Sequence, residues 1–260
     1  MKSLYTTLAA VLSSLALLVA GCGPSVAPAP TLPGPVVLNP NLPLSQQVKV
    51  SPMPFEENGV DPVFTIKADI PTIIGVDDPR VKAFNELTYG IFQLFSNDLR
   101  TALAELPIEP VTGGSSLEMR YALVSPPGEI ISIRYLITGY VDGAAHPFHE
   151  IRSVNFNIED GRVVGIEELF KADASYLQVI SDQCRAELST RNIGFEAFAF
   201  GADPLPENYQ NWNITADGLL ITFNEYQVAP YAAGPQEVMV PYGALKDIID
   251  PQGPLGSFIQ

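Results

Sequence analysis

Residues 131–161, ISIRYLITGYVDGAAHPFHEIRSVNFNIEDG, decide the fold. Ile131, Ile133, Tyr135 and Ile137 fall at every second position, the period that turns one face of a strand inward. The run continues to Val141, Asp142-Gly143 breaks it, and Val154, Phe156 and Ile158 resume the alternation in a segment that pairs back. Asp160-Gly161 then supplies a two-residue turn of the kind that needs positive φ. Strands that fold directly back on one another need no crossover helix, so this part of the sheet is expected to be antiparallel.

Working outward, Leu117 to Val124 reads as a further strand, ended by Ser125-Pro126-Pro127-Gly128, and Val63 to Ile70 as another with Phe64, Ile66, Ala68 and Ile70 on one face. Between them, Asp77-Asp78-Pro79 places an acidic cap before a proline at the first helical position. Val81, Phe84, Leu87, Ile91, Leu94 or Phe95, Leu99 and Leu103 then recur at helical spacing up to a break at Pro107. Downstream, Gly165 to Lys171 predicts a short helix, and Ala174 to Thr190 a longer one capped by Asp173 with Leu177, Ile180, Cys184 and Leu188 on one stripe. Trp212–Thr215 and Leu219–Phe223 flank the turn Asp217-Gly218; after the loop Asn224 to Pro235 come a strand, Glu237 to Pro241, and a closing helix, Tyr242 to Ile249. Hairpins and helices in separate blocks predict an α+β fold, antiparallel sheet hairpins packed against one long and one or two shorter helices.

The amino terminus predicts an address. Lys2, an apolar run from Leu8 to Leu18, then Val19-Ala20-Gly21-Cys22 have the layout of a bacterial lipoprotein signal, with an apolar run too short to span a bilayer. Residues 1–21 are expected to be the signal peptide and Cys22 the lipidation site, carrying a thioether-linked lipid and palmitate. Nine of the chain's 24 prolines lie between Gly23 and Pro54 with Lys49 as the one charge, so residues 22–54 read as a lipidated cysteine and extended tether. The expected organisation continues with an N-terminal strand-helix module at 55–115, a C-terminal α+β module at 116–250 and a flexible tail at 251–260. The location is then the extracytoplasmic face of a bacterial membrane, with membrane contact through the lipid anchor only.

With 14 basic and 29 acidic residues the formal charge is −15, and removal of the leader with Lys2 makes the chain one unit more negative. Such a surface argues against nucleic acid and favours cationic partners. Lipidation of Cys22 would leave Cys184 as the remaining thiol, so no internal disulfide is expected and Cys184 reads as a small buried hydrophobe. No phosphate-binding loop, Cys-x-x-Cys pair or nucleophile elbow occurs, and neither a cofactor nor a catalytic motif is expected.

Two stretches could carry chemistry. Both histidines fall in Ala144-Ala145-His146-Pro147-Phe148-His149-Glu150, with Asp142 nearby. In an extended segment His146 and His149 point to opposite faces, and Pro147 excludes a helix interior, so the spacing argues against a metal site. The second stretch is Glu225-Tyr226-Gln227-Val228-Ala229-Pro230-Tyr231-Ala232-Ala233-Gly234, where tyrosines offer apolar area with a polar tip. The candidate binding residues are His146, Pro147, Glu225, Tyr226, Tyr231 and Gly234.

Gly143-Ala144-Ala145-His146-Pro147 after a strand, Gly165-Ile166-Glu167-Glu168-Leu169-Phe170, and Tyr226 to Gly234 before Val240-Pro241-Tyr242 together resemble a bacterial extracytoplasmic family, domain of unknown function 3298. The segment from Phe64 to Leu103 is similar to the strand-plus-helix module that precedes it. That family supplies the outer domain of lysozyme-sensing anti-sigma factors, lies beside deacetylase domains in peptidoglycan enzymes, and occurs alone in lipoproteins. The resemblance implies an α+β wall-facing module that binds, with catalysis in a neighbouring domain. This chain departs from the anti-sigma type in its expected lack of a membrane span, and it shows no deacetylase domain. The leading expectation is a non-enzymatic, lipid-anchored envelope module that binds or senses wall glycan (peptidoglycan) or a cationic envelope protein such as lysozyme. A stand-alone wall hydrolase using His146 with a nearby carboxylate, Glu225 or Asp142, and a scaffold subunit of an envelope complex stay open.

Overall fold

The computed structural model describes residues 36–105 and 113–256. The signal peptide, Cys22, the first part of the tether, the Pro107 break and residues 257–260 of the tail lie outside the described residues.

Ordered chain begins earlier than the tether reading allowed. Leu44–Gln46 form a 3-10 turn, and strand β1 runs Val50–Val60. The physical reason is twofold. The Glu159 carboxylate accepts the backbone N–H groups of Leu44 (3.0 Å) and Ser45 (2.7 Å), while the Leu44 side chain is buried. Pro52 and Pro54 are tolerated because β1 is an edge strand, where a missing N–H disturbs no inner ladder.

β1 pairs along its length with β2 (Val63–Ile73), and helix α1 (Pro79–Ala104) follows. Then come β3 (Ser115–Leu123), β4 (Ile130–Tyr140), β5 (Phe148–Asn157) and the two-residue β6 (Arg162–Val163). These strands form a six-stranded sheet in chain order. β2 and β3 are parallel, whereas the other neighbours are antiparallel. The all-hairpin expectation fails at that one pair because α1 serves as the crossover that returns the chain to the same end of the sheet. It also means that strands on either side of position 115 share one sheet.

Asp78 starts α1 as expected, accepting the Arg80 backbone N–H at 2.8 Å with Pro79 at the first helical position. The helix lays Val81, Phe84, Ile91, Phe95, Leu99 and Leu103 on the sheet, against Ile66, Leu117, Ile133, Tyr135, Ile137 and Phe156. Of the pair Leu94 and Phe95, Phe95 is inward and Leu94 is 46% exposed.

The second layer holds a 3-10 turn at Ile166–Leu169, helix α2 (Tyr176–Leu188), a three-stranded antiparallel sheet of β7 (Trp212–Ile214), β8 (Gly218–Phe223) and β9 (Gln236–Pro241), and helix α3 (Tyr242–Leu245). α2 starts later than expected, with Ser175 rather than Asp173 at its N-cap, and α3 stops at Leu245. Ile180, Cys184 and Leu188 pack with Trp212, Ile221, Phe223, Val238 and Leu245 into a second core. Burial pushes the Cys184 thiol up to about 12, as for an inert side chain.

A buried polar seam joins the layers. Ser132 Oγ donates to Asn155 Oδ1 (2.5 Å), Asn213 Nδ2 donates to Ser132 Oγ and to the Ile133 carbonyl (2.9 Å each), and Asn155 Nδ2 donates to the Trp212 carbonyl (2.8 Å). Buried amides and hydroxyls are tolerated where their hydrogen bonds are made, and here they are made to each other across the layers.

Candidate functional site

β5 pairs with β4 along its length, but β6 covers it only at Phe156 and Asn157. Side chains of the second layer close the rest of that edge. Asn211 Oδ1 accepts from the Ser153 backbone N–H (3.1 Å), Asn224 Oδ1 from Ile151 N–H (2.7 Å) and Glu225 Oε2 from His149 N–H (3.4 Å). Asn224 Nδ2 returns a bond to the Ile151 carbonyl at 3.2 Å. An open edge would leave these groups unpaired, so satisfying them docks the loop after β8 onto the start of β5.

The docking sets two ionisable side chains together. His149 Nδ1 lies 2.8 Å from Glu225 Oε1; the Glu225 side chain is 10% exposed and that of His149 is 37% exposed. Next in the chain, Tyr226 has φ 66°, the one non-glycine positive φ among the described residues, and is 55% exposed. Its ring centroid is 5.7 Å from that of Tyr231, which is 4.1 Å from the His146 ring and 6.3 Å from the His149 ring. The Tyr231 hydroxyl donates to the Pro147 carbonyl at 2.9 Å, and His146 Nδ1 is 2.8 Å from the same oxygen. Burial first, then the Glu225 carboxylate and Tyr226, raise the Tyr231 phenol above its ordinary range, so it stays a neutral donor.

His146, Pro147, Glu225, Tyr226 and Tyr231 therefore meet on one surface. Gly234 does not enter it: at φ 65° it ends the 3-10 turn Tyr231–Ala233, donating its N–H to the Tyr231 carbonyl at 2.8 Å. Opposite orientation of His146 and His149 is corrected. β5 begins only at Phe148, the residues before it turn, and both rings face Tyr231. The imidazole–carboxylate contact belongs to His149, not His146. Asp142 is occupied elsewhere, accepting the N–H groups of Gly113 (3.2 Å) and Gly114 (3.0 Å). The role of His149 was hidden because its partner lies 76 residues away, and no local spacing announces that pairing. Among the described residues no group of three or more His, Cys, Asp or Glu could hold a metal ion, and no helix is long and apolar enough to cross a membrane.

The chain is thus α+β, with a helix on a mixed sheet, a second sheet sealed to it by asparagines, and an aromatic patch at the join. Residues 167–243 match the family described as "Protein of unknown function (DUF3298)", the family that the sequence motifs resemble. A DUF3298 family member from Bacteroides fragilis has the same fold, with a TM-score of 0.60 at 15% identity over 82% of this chain and 97% of that one. The chain is also similar to the immunogenic protein MPT64 of Mycobacterium tuberculosis, 30% identical over 107 residues, 41% of this chain and 47% of that protein. It is 26% identical over 178 residues to the peptidoglycan-N-acetylmuramic acid deacetylase PdaC of Bacillus subtilis, 67% of this chain and 36% of the enzyme. The chain thus spans about half the length of MPT64 and about a third of that of PdaC.

Proposed function

We propose that this protein is a lipid-anchored, extracytoplasmic module that binds wall glycan on the patch of His146, Tyr226 and Tyr231, with Cys22 as the anchor. The observation that carries the reading is Tyr226. A left-handed backbone costs a side-chain-bearing residue about 1 kcal/mol that glycine would avoid, yet a tyrosine stands there with its ring largely in solvent. Such a position is explained by what the ring does for a ligand. Flat aromatic faces with polar rims suit the apolar faces and hydroxyls of a sugar. Similarity to an enzyme whose name places it on peptidoglycan supports the same compartment and substrate class. A cationic protein suits this surface less well, because its carboxylate, Glu225, is engaged by His149.

The test is sedimentation of the mature chain with insoluble peptidoglycan and titration with soluble chitin-type oligosaccharides. Tyr226→Ala and Tyr231→Ala should each weaken binding about five- to tenfold, the equivalent of an aromatic contact of about 1 kcal/mol. Unchanged binding in both variants, or no binding by the wild type, would sink the proposal.

The His149–Glu225 contact favours a second reading, a hydrolase in which His149, oriented by Glu225, takes a proton from water. It requires soluble products to appear on incubation with wall material and to vanish with His149→Ala. Binding alone requires neither.

A further inference from the structure

On the other face of β5, at the same end, lies a second concave surface. Side chains alternate along a strand, so Phe148 and Glu150 point away from the His149 patch and toward α1. There Phe95, Leu99, Leu117 and Phe148 line a cleft of about 200 Å³ together with Asp98 and Glu150.

The walls of the cleft are largely apolar, Ser116 is its neutral polar residue, and both of its charged residues are acidic. Among the described residues neither carboxylate accepts a hydrogen bond. The cation nearest Glu150, Arg152, stands at 4.0 Å with its guanidinium over the Phe95 ring. Glu150 is about half-buried, and burial first, then Asp98, push its carboxyl above the ordinary range while Arg152 opposes them. Asp98 is exposed at the mouth of the cleft, and the two carboxylates together favour a cation that carries N–H donors. The wall is built for its shape: a methyl group at Gly139 would fall 2.2 Å from Phe148 Cε1, so glycine alone lets the Phe148 ring lie over β4.

We propose that this cleft binds a primary alkylammonium group, the free side-chain amine of a diamino acid in a wall peptide, its methylene stem between Phe95 and Phe148 and its charge between Asp98 and Glu150. A neutral ligand would gain no charge-assisted hydrogen bond from either carboxylate. An anion would be repelled by them and by a chain of net charge −15. The small volume fits one unbranched side chain rather than a sugar ring with its substituents. Only the source of the amine rests on the wall-facing reading; the ammonium chemistry does not.

The experiment is an NMR titration of the mature chain with Nα-acetyl-lysine amide, against Nα-acetyl-norleucine amide as the neutral analogue. Saturable shifts around Phe95, Leu99 and Phe148 are expected with the lysine compound, and at least about tenfold weaker binding of the norleucine one. Glu150→Gln and Asp98→Asn, near-isosteric changes at solvent-accessible positions, should each weaken lysine binding about tenfold while leaving oligosaccharide binding unchanged. Equal affinity for the two analogues, shifts that never saturate, or full binding in the Glu150→Gln and Asp98→Asn double variant would overturn the proposal. Failure of oligosaccharide binding alone would overturn the glycan reading and leave this one standing.

Discussion

At the scale of single residues, Tyr226 and Gly139 make opposite use of the backbone. Tyr226 holds a conformation that favours glycine, and Gly139 holds a strand position where any larger residue would meet Phe148. Tyr226→Gly should leave stability within about 1 kcal/mol of wild type, relief of strain being offset by a more flexible unfolded chain, while sugar binding falls. Denaturant unfolding and oligosaccharide titration on the same preparation separate the two effects. Gly139→Ala should destabilise by about 1–3 kcal/mol, as overpacking does, because the Phe148 ring must leave its place. A midpoint unchanged from wild type would show that the ring moves freely. Neither residue could be assigned its part from sequence. Tyr226 read as a candidate because of its neighbours, but a positive φ at a tyrosine is imposed by the docking of its loop.

Among the elements, the amino-terminal segment shows how one carboxylate can order a proline-rich stretch. Glu159, in the turn after β5, accepts from Leu44 and Ser45 and lies 3.5 Å from Arg80 at the start of α1. Glu159→Ala should speed amide exchange across residues 36–48 while the centre of α1 keeps its protection, since the helix retains its own Asp78 cap. Acid should act at the same place. Burial pushes the Glu159 carboxyl up, but the Ser45 and Leu44 donors and Arg80 outweigh it and hold it below its ordinary value of 4.5. Hydrogen bonding from Arg80 holds Asp78 below 3.8. A depressed folded-state value means stability that is present above the ordinary carboxylate range and lost as pH falls through the folded-state value. Unfolding midpoints should therefore drop below about pH 4, and less steeply in the Asp78→Ala, Glu159→Ala double variant. A parallel pH profile in that variant would contradict this account.

Across the whole molecule, two hydrophobic cores meet through the Ser132, Asn155 and Asn213 network instead of a continuous apolar contact. Asn213→Ala strips Ser132 and the Ile133 carbonyl of a donor and Ser153 of an acceptor, and should cost about 2 kcal/mol or more in denaturant unfolding. A loss below about 0.5 kcal/mol would mean that water replaces the amide. The asparagines explain why the site was only partly legible. Alternation in Ile131–Ile137, the Asp78-Pro79 helix start and the stripe along α1 are local patterns governed by backbone geometry and the burial of one face, and the sequence determined them unaided; it also placed the turn after β5, although that turn has four residues, 158–161, with positive φ at Gly161 and not at Asp160, instead of two. It also marked both segments of the aromatic patch by composition. Their meeting was decided by the tertiary structure alone: an unpaired strand edge at His149, Ile151 and Ser153 had to be satisfied, and the groups that do so, Asn211, Asn224 and Glu225, come from a distant part of the chain. The same holds for the parallel β2–β3 pair, for Glu159 gathering in Leu44, and for the Asp98–Glu150 cleft on the reverse of β5. Each depends on hydrogen bonds or charges between groups far apart in the chain, and local periodicity carries no record of such pairings.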